Sequence, residues 1–181
     1  MKKILLFLFL GAVGFTAYSC DNDDDVVVQN PVDYDTYSEA FDISPNFSMV
    51  TNNLYRFKDD FKKPLVESDV VLIYMQIGTD GGAPLWKLLP YTSYVPLSPN
   101  NEAVDYIYDF SKFGVTININ SSATFSLTAN PGYYQGKTFR VVTVPAKTGV
   151  SKSAVAPVDY SDYNSVIKYY NIDESRIQLK N

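Results

Sequence analysis

Apolar and polar positions alternate one by one over much of this chain, most clearly across 113–120. Phe113, Val115, Ile117 and Ile119 fall on one side there, and Gly114, Thr116, Asn118 and Asn120 on the other. A period of two is what an antiparallel strand with one buried and one wet face requires. Residues 103–110 repeat it, with Val104, Tyr106, Tyr108 and Phe110 opposed by Asp105 and Asp109. Over 54–61, Tyr55, Phe57, Asp59 and Phe61 alternate with Arg56, Lys58 and Asp60, a charge load that suits an edge strand. Residues 70–77 are apolar on both sides (Val70, Leu72, Tyr74 against Val71, Ile73, Met75, Ile77), which predicts a strand in the middle of a sheet with both faces covered.

Turn residues separate these runs. Gly78, Gly81 and Gly82 supply hairpin positions between 70–77 and a further strand over 85–89, and Pro90 interrupts before an edge or bent segment at 91–96. Ser98, Pro99, Asn100 and Asn101 mark the next turn, and Asn120, Ser121 and Ser122 the one after 113–120. Strands are further predicted over 41–48, 124–128 and 138–144, and a connecting loop over 147–157. One change of period follows: Tyr163, Val166, Ile167 and Tyr170 lie at i, i+3, i+4 and i+7, one stripe of a helix. Asp159 or Ser161 can cap its start, Lys168 complements its dipole, and Asn171 can take a left-handed stop. Short strands at regular spacing without a fixed repeat predict an all-β fold, an antiparallel β-sandwich of about seven to eight strands with one short C-terminal helix.

The first 25 residues follow a different pattern. Lys2 and Lys3 precede an apolar run over 4–15, then Thr16, Ala17, Tyr18, Ser19 and the only cysteine, Cys20. The run is too short for a membrane-spanning helix, which needs about 20 apolar residues. This arrangement resembles a bacterial lipoprotein signal peptide, cut before Cys20 so that the thiol carries lipid. Asp21, Asn22, Asp23, Asp24 and Asp25 come next, a block of like charge expected to stay extended and solvated. It is similar to the address that sends lipoproteins of Bacteroidota-type bacteria to the outer face of the outer membrane, the alternative being a plain spacer. The expected organisation is a signal peptide over 1–19, a lipidated cysteine and acidic tether over 20–36, and the β-sandwich domain over 37–181. Some fifteen tether residues reach about 50 Å when stretched and about 20 Å as a coil.

Charge and composition then narrow the chemistry. Without Lys2 and Lys3 the 15 basic residues become 13 against 20 acidic ones, a net charge of −7, so nucleic acid is a poor partner. The chain has no histidine, and a lipidated Cys20 leaves no free thiol. Ser/His/Asp and Cys/His hydrolase arrangements, imidazole zinc sites and thiolate clusters are thereby excluded, and no cofactor is expected. The glycines at 78–82 lack the following lysine and helix of a phosphate loop. Neither 21–25 nor 159–162 continues into the glycine and glutamate of an EF-hand, so calcium is at most incidental.

Two kinds of residue could still serve a site. Carboxylates at Asp59 and Asp60, Asp105 and Asp109, and Asp159 and Asp162 could supply a glycosidase pair, which needs two carboxyls about 5–10 Å apart across a cleft; a solvated acidic surface explains them more simply. Aromatic rings stack on sugars and anchor interfaces. Trp86, Tyr91 and Tyr94 flank Pro90, and Tyr133 and Tyr134 lie in a turn-rich segment, so these five are the candidate ligand contacts; wet tyrosines on the rim of a sandwich are the plainer alternative. The phrases Leu85-Trp86-Lys87-Leu88-Leu89-Pro90, Phe139-Arg140-Val141-Val142 and Tyr169-Tyr170-Asn171-Ile172, with the leader and acidic run, resemble small surface-exposed lipoproteins of Bacteroidota, a family with no assigned activity to transfer. The expectation is a lipid-anchored, non-enzymatic binding or structural module of the outer membrane, facing the cell exterior. Its membrane contact would be through the anchor, and its candidate partner a glycan or an envelope protein. The alternative is a carboxylate-dependent glycan hydrolase or a glycan-binding accessory protein.

Overall fold

The computed structural model describes residues 38–67, 69–96, 101–145 and 158–180. The expected signal peptide and tether, Cys20 among them, and the loop over 147–157 lie outside the described residues.

The period-two runs become strands packed face to face. The first sheet holds β1 (Glu39–Ile43), β4 (Val70–Asp80), β5 (Ala83–Leu88), β9 (Phe139–Val144) and β10 (Leu179–Lys180), in the order β10-β1-β9-β4-β5. The second holds β2 (Ser48–Thr51), β3 (Leu54–Asp60), β6 (Tyr91–Pro96), β7 (Asn101–Ser111) and β8 (Gly114–Ser121), in the order β2-β3-β8-β7-β6. Ladders are antiparallel except for the two-residue pairing of β10 with β1. The fold is an all-β sandwich. It has ten strands among the described residues rather than seven or eight, chiefly because the run at 41–48 is two strands and the C-terminus adds β10. Pro45 lacks the N–H a ladder needs, so the chain leaves the first sheet after Ile43 and enters the second at Ser48. Phe47 bridges the two, its ring centroid 6.0 Å from that of Phe57 and 5.9 Å from that of Phe139.

Between the sheets, Val71, Ile73, Met75, Phe139 and Val141 meet Tyr55, Val104, Tyr106, Val115, Ile117 and Ile119. β4 is covered on both faces as its sequence requires: Leu72 and Tyr74 point the other way, into a second cluster with Val142, Val144, Tyr163 and Val166. That cluster lies under the helix α1 (Tyr163–Tyr170). The side chain capping its start is Asp162, which accepts from the Asn164 N–H, and not Asp159 or Ser161. Asp159 instead closes a local turn by accepting from the backbone and hydroxyl of Ser161. Lys168 and the left-handed Asn171 (φ 52°) end the helix as expected.

Three further expectations change. β3 is not an edge strand; β2, four exposed residues long, lies outside it, and a short edge strand offers little to pair with. Phe113 does not share the buried face of β8 but sits in the turn before it, because the strand can begin only at Gly114. A Cβ there would stand 2.3 Å from the Asp59 carbonyl oxygen, so the close approach of β3 requires glycine. Residues 124–128 form turns and no strand, since neighbours outside any ladder satisfy their backbone. The Asn53 side-chain amide donates to the Ser122 and Phe125 carbonyls (2.9 and 2.7 Å), and the Leu127 N–H donates to Asn52 O. Phe125 and Leu127 still fill the core. In the β4–β5 hairpin only Gly81 and Gly82 have positive φ (56° and 89°), as a two-residue primed turn needs.

Candidate functional site

The structure separates the five aromatic candidates. Tyr91, on β6, stacks on its cross-strand partner Tyr106 (centroids 6.0 Å apart), and the Tyr106 hydroxyl donates to Tyr133 O at 2.9 Å. Tyr133 packs edge-on against Phe125 at 5.3 Å, and Tyr134 stacks on Tyr55 at 3.8 Å. These three rings pack against the main core, so packing already uses them. Trp86 belongs to the opposite outer face, among the residues beneath α1. Only Tyr94, 72 % exposed, stands free in solvent.

Under the helix lies a cluster that the aromatic reading did not single out. Arg140 stands on β9, whose six residues are all buried, and its side chain reaches a polar nest at the helix end of the sheet. Its Nε and Nη2 donate to the two carboxylate oxygens of Asp42 on β1 (2.7 and 3.0 Å). Its Nη1 donates to the Tyr163 hydroxyl and to Glu174 Oε1 (3.2 Å), and Tyr163 in turn donates to the same Glu174 oxygen (2.7 Å). The guanidinium lies 4.4 Å from the Trp86 ring centroid. Burial alone would lower the arginine's pKa, but the hydrogen bonds to Asp42 and Tyr163 outweigh it and hold the group above its usual range. A permanently charged, fully partnered arginine fastens β1, α1 and the turn at Glu174–Arg176 to the sheet. An open cleft of about 480 Å³ runs alongside, lined by Glu39, Phe41, Asn171, Asp173, Arg176 and Gln178 among others. Arg176 and Asp173 pair with each other at 3.2 Å in this cleft.

Of the six candidate carboxylates, all but the exposed Asp109 have a structural partner among the described residues. Asp59 accepts from Lys180 Nζ at 2.6 Å, Asp60 pairs with Lys58 at 3.1 Å, Asp105 accepts from Thr92 at 2.6 Å, and Asp159 and Asp162 bind turn and helix-cap donors. The carboxyls whose ionisation is displaced all move down. Hydrogen bonds from Ser122 and Thr124 lower Glu102, those from Ser161 lower Asp159, and those from Ser175 lower Asp173. A glycosidase acid needs the opposite displacement.

The outer face of the second sheet offers a different kind of surface. Side chains that alternate with the buried Tyr106, Ile117 and Ile119 form rows across the strands: Thr92, Asp105 and Asn120, then Ile107, Asn118 and Arg56, then Asp109, Thr116 and Lys58. Arg56 Nε donates to Asn118 Oδ1 at 2.8 Å, and Thr92 to Asp105, so neighbouring residues hold these side chains in place. Tyr94 lies on the same side at the rim, two residues along β6 from Thr92. The sequence marks this face only as the polar half of each alternating run; it carries no motif. No family model, no curated protein and no solved structure matches this chain.

Proposed function

We propose that this chain is a non-enzymatic surface module, fixed to the outer membrane through lipid on Cys20, that binds a glycan across the outer face of its second sheet. The observation that carries this reading is the asymmetry of the two sheets. Among the described residues, α1 and the turns after it pack over the outer face of the first, whereas the second presents Thr92, Asp105, Asn120 and Arg56 in ordered rows, with the buried Asn118 holding Arg56 in place and an exposed Tyr94 at the rim. The Asn120 amide, the Asp105 carboxylate and the Arg56 guanidinium supply donors and acceptors for sugar hydroxyls, and a tyrosine ring supplies a stacking face. A pleated sheet is long and shallow, a shape suited to several residues of an extended polymer. The leader, Cys20 and the acidic run at 21–25 support the location.

Glycan-array screening followed by titration calorimetry on the detergent-solubilised full chain tests the reading. Tyr94→Ala is expected to weaken binding about tenfold, or about 1.4 kcal/mol, while leaving the melting temperature unchanged because the ring is exposed. A wild-type chain that binds no glycan but captures an envelope protein would count against it. So would a Tyr94→Ala chain that binds as the wild type does.

A further inference from the structure

The end of β7 and the turn that follows it carry two exposed phenylalanines, Phe113 in the turn at 57 % and Phe110 on the strand at 43 %, the latter stacked on Tyr108. Lys112 Nζ lies 5.4 Å from the Phe113 ring centroid. The segment after β3 folds against this turn: the Phe61 N–H donates to Phe113 O and the Leu65 N–H to Lys112 O, both at 2.8 Å. Exposed Lys62 and Lys63 lie between these two backbone contacts, at the same end of the sandwich as the rings. The chain then turns through Val66 (36 % exposed) and reaches Val70 (43 %), so one end of the molecule combines apolar and cationic side chains. Lys62, Lys63 and Lys112 form no ion pair among the described residues. Glu67 and Asp109 are exposed in the same region, and Asp60 is engaged by Lys58.

This end is also where the tether joins the body. Val71, Thr143 and Glu39 form one row across β4, β9 and β1, with Val70 one residue beyond it. The Tyr108 hydroxyl donates to Val71 O at 2.9 Å and so ties β7, two residues before Phe110, to that same row. Ser38, the residue before Glu39, is the nearest described point to Cys20, and the intervening chain spans at most about 60 Å. We propose that the Phe110–Phe113 end of the sandwich rests on the bilayer. Its rings would lie at the headgroup boundary, and its lysines would face anionic headgroups. This inference rests on the reading that Cys20 is lipidated. Aromatic rings and lysines whose stems lie along apolar surface are the side chains that a membrane interface accommodates. Lipid on Cys20 holds the molecule at the membrane, and this contact orients it. Ala103, the cross-strand partner of Tyr94, is eight residues along β7 from Ser111. At about 3.3 Å per residue the glycan-facing ring then stands roughly 26 Å further from the bilayer.

The test uses the full chain in vesicles of equal parts phosphatidylethanolamine and phosphatidylglycerol, with an environment-sensitive nitrobenzoxadiazole label at Phe113→Cys or, as the distal control, at Ala123→Cys. A lipidated Cys20 does not react with the label. The expected result is that the protein floats with the vesicles, that the label at 113 shifts to the blue and is quenched by nitroxide lipids, and that the label at 123 remains in water. Lys62→Gln, Lys63→Gln and Lys112→Gln together should reduce the quenching at 113. A protein that floats with both labels in water overturns the contact and leaves the anchor standing. A blue shift at 113 without quenching by lipid means that protein covers this end and also overturns the contact. Failure to float overturns the anchor and the contact with it.

Discussion

Arg140→Ala is expected to cost the folded state about 3–5 kcal/mol and to lower the melting temperature by on the order of 10 °C. The side chain is 10 % exposed and satisfies Asp42 at both oxygens, Tyr163 and Glu174, while its guanidinium lies over Trp86. Its removal strands the Asp42 carboxylate beneath the helix and opens a space where the guanidinium packed. Glu174, about half exposed, returns to water and contributes little to the loss. Replacing the pair together, Arg140→Met with Asp42→Leu, should recover most of the stability, because apolar side chains of similar volume avoid the desolvation that an unpaired charge incurs. Chemical denaturation of the four chains (wild type, Arg140→Ala, Asp42→Leu and the pair) measures this. A loss below about 1 kcal/mol for Arg140→Ala would mean that apolar packing alone fastens α1 to the sheet.

Alkali should unfold this protein steeply. Burial is the leading cause that raises the phenols of Tyr74, Tyr106 and Tyr163 above their ordinary value of 10.0; Tyr163 is also raised by its hydrogen bond to Glu174, against the opposing charge of Arg140. Tyr74 and Tyr106 each donate to a backbone carbonyl, Tyr160 O and Tyr133 O, and ionisation would remove both donors. A group whose folded pKa is raised contributes its full stability below the unfolded value and loses it as pH rises toward the folded one. Between these limits the unfolded chain releases a proton that the folded chain retains. Each such tyrosine lowers stability by about 1.4 kcal/mol per pH unit, and the three together by about 4. Denaturant midpoints followed from about pH 9 to about pH 12 should stay level and then fall steeply above about pH 10, with phenolate absorbance rising as the chain unfolds. Tyr106→Phe should remove one such increment, about 1.4 kcal/mol per pH unit, from the slope. Ionisation of these phenols near 10 without unfolding would show that their rings are reached by water in the folded state.

The sequence shows the fold more plainly than the surfaces the fold creates. Alternation at Val115, Ile117 and Ile119 and the two-sided run of β4 are local consequences of burial, and both can be read before any contact is known. So can the stripe Tyr163, Val166, Ile167 and Tyr170, since a docked helix repeats its apolar face every 3.6 residues. Residues 124–128 misled because Phe125 and Leu127 alternate like a strand while the Asn52–Asn53 turn, about seventy residues earlier, binds their backbone. Phe113 misled because the period extends one residue past the point where β3 permits only glycine.

Site residues are harder, since their roles depend on partners distant in the chain. Tyr91 beside Pro90, and Tyr133 and Tyr134 in a turn-rich segment, look available in the sequence, yet Tyr106, Phe125 and Tyr55 engage them. Arg140 did carry a signal: a lone charge within Phe139-Arg140-Val141-Val142 is compatible with a buried strand only if a carboxylate meets it. Which carboxylate, 98 residues away, required the register of β1 on β9. The polar face carrying Arg56, Asn118 and Asp105 likewise exists only once β3, β8, β7 and β6 lie side by side.

Intact mass spectrometry of the protein isolated from the cells that make it tests most directly whether this sandwich is held to a bilayer by lipid. The account predicts a chain that begins at Cys20, with diacylglycerol on the sulfur and a further acyl group on the amine. A free thiol at Cys20, or residues 1–19 still attached, would contradict it.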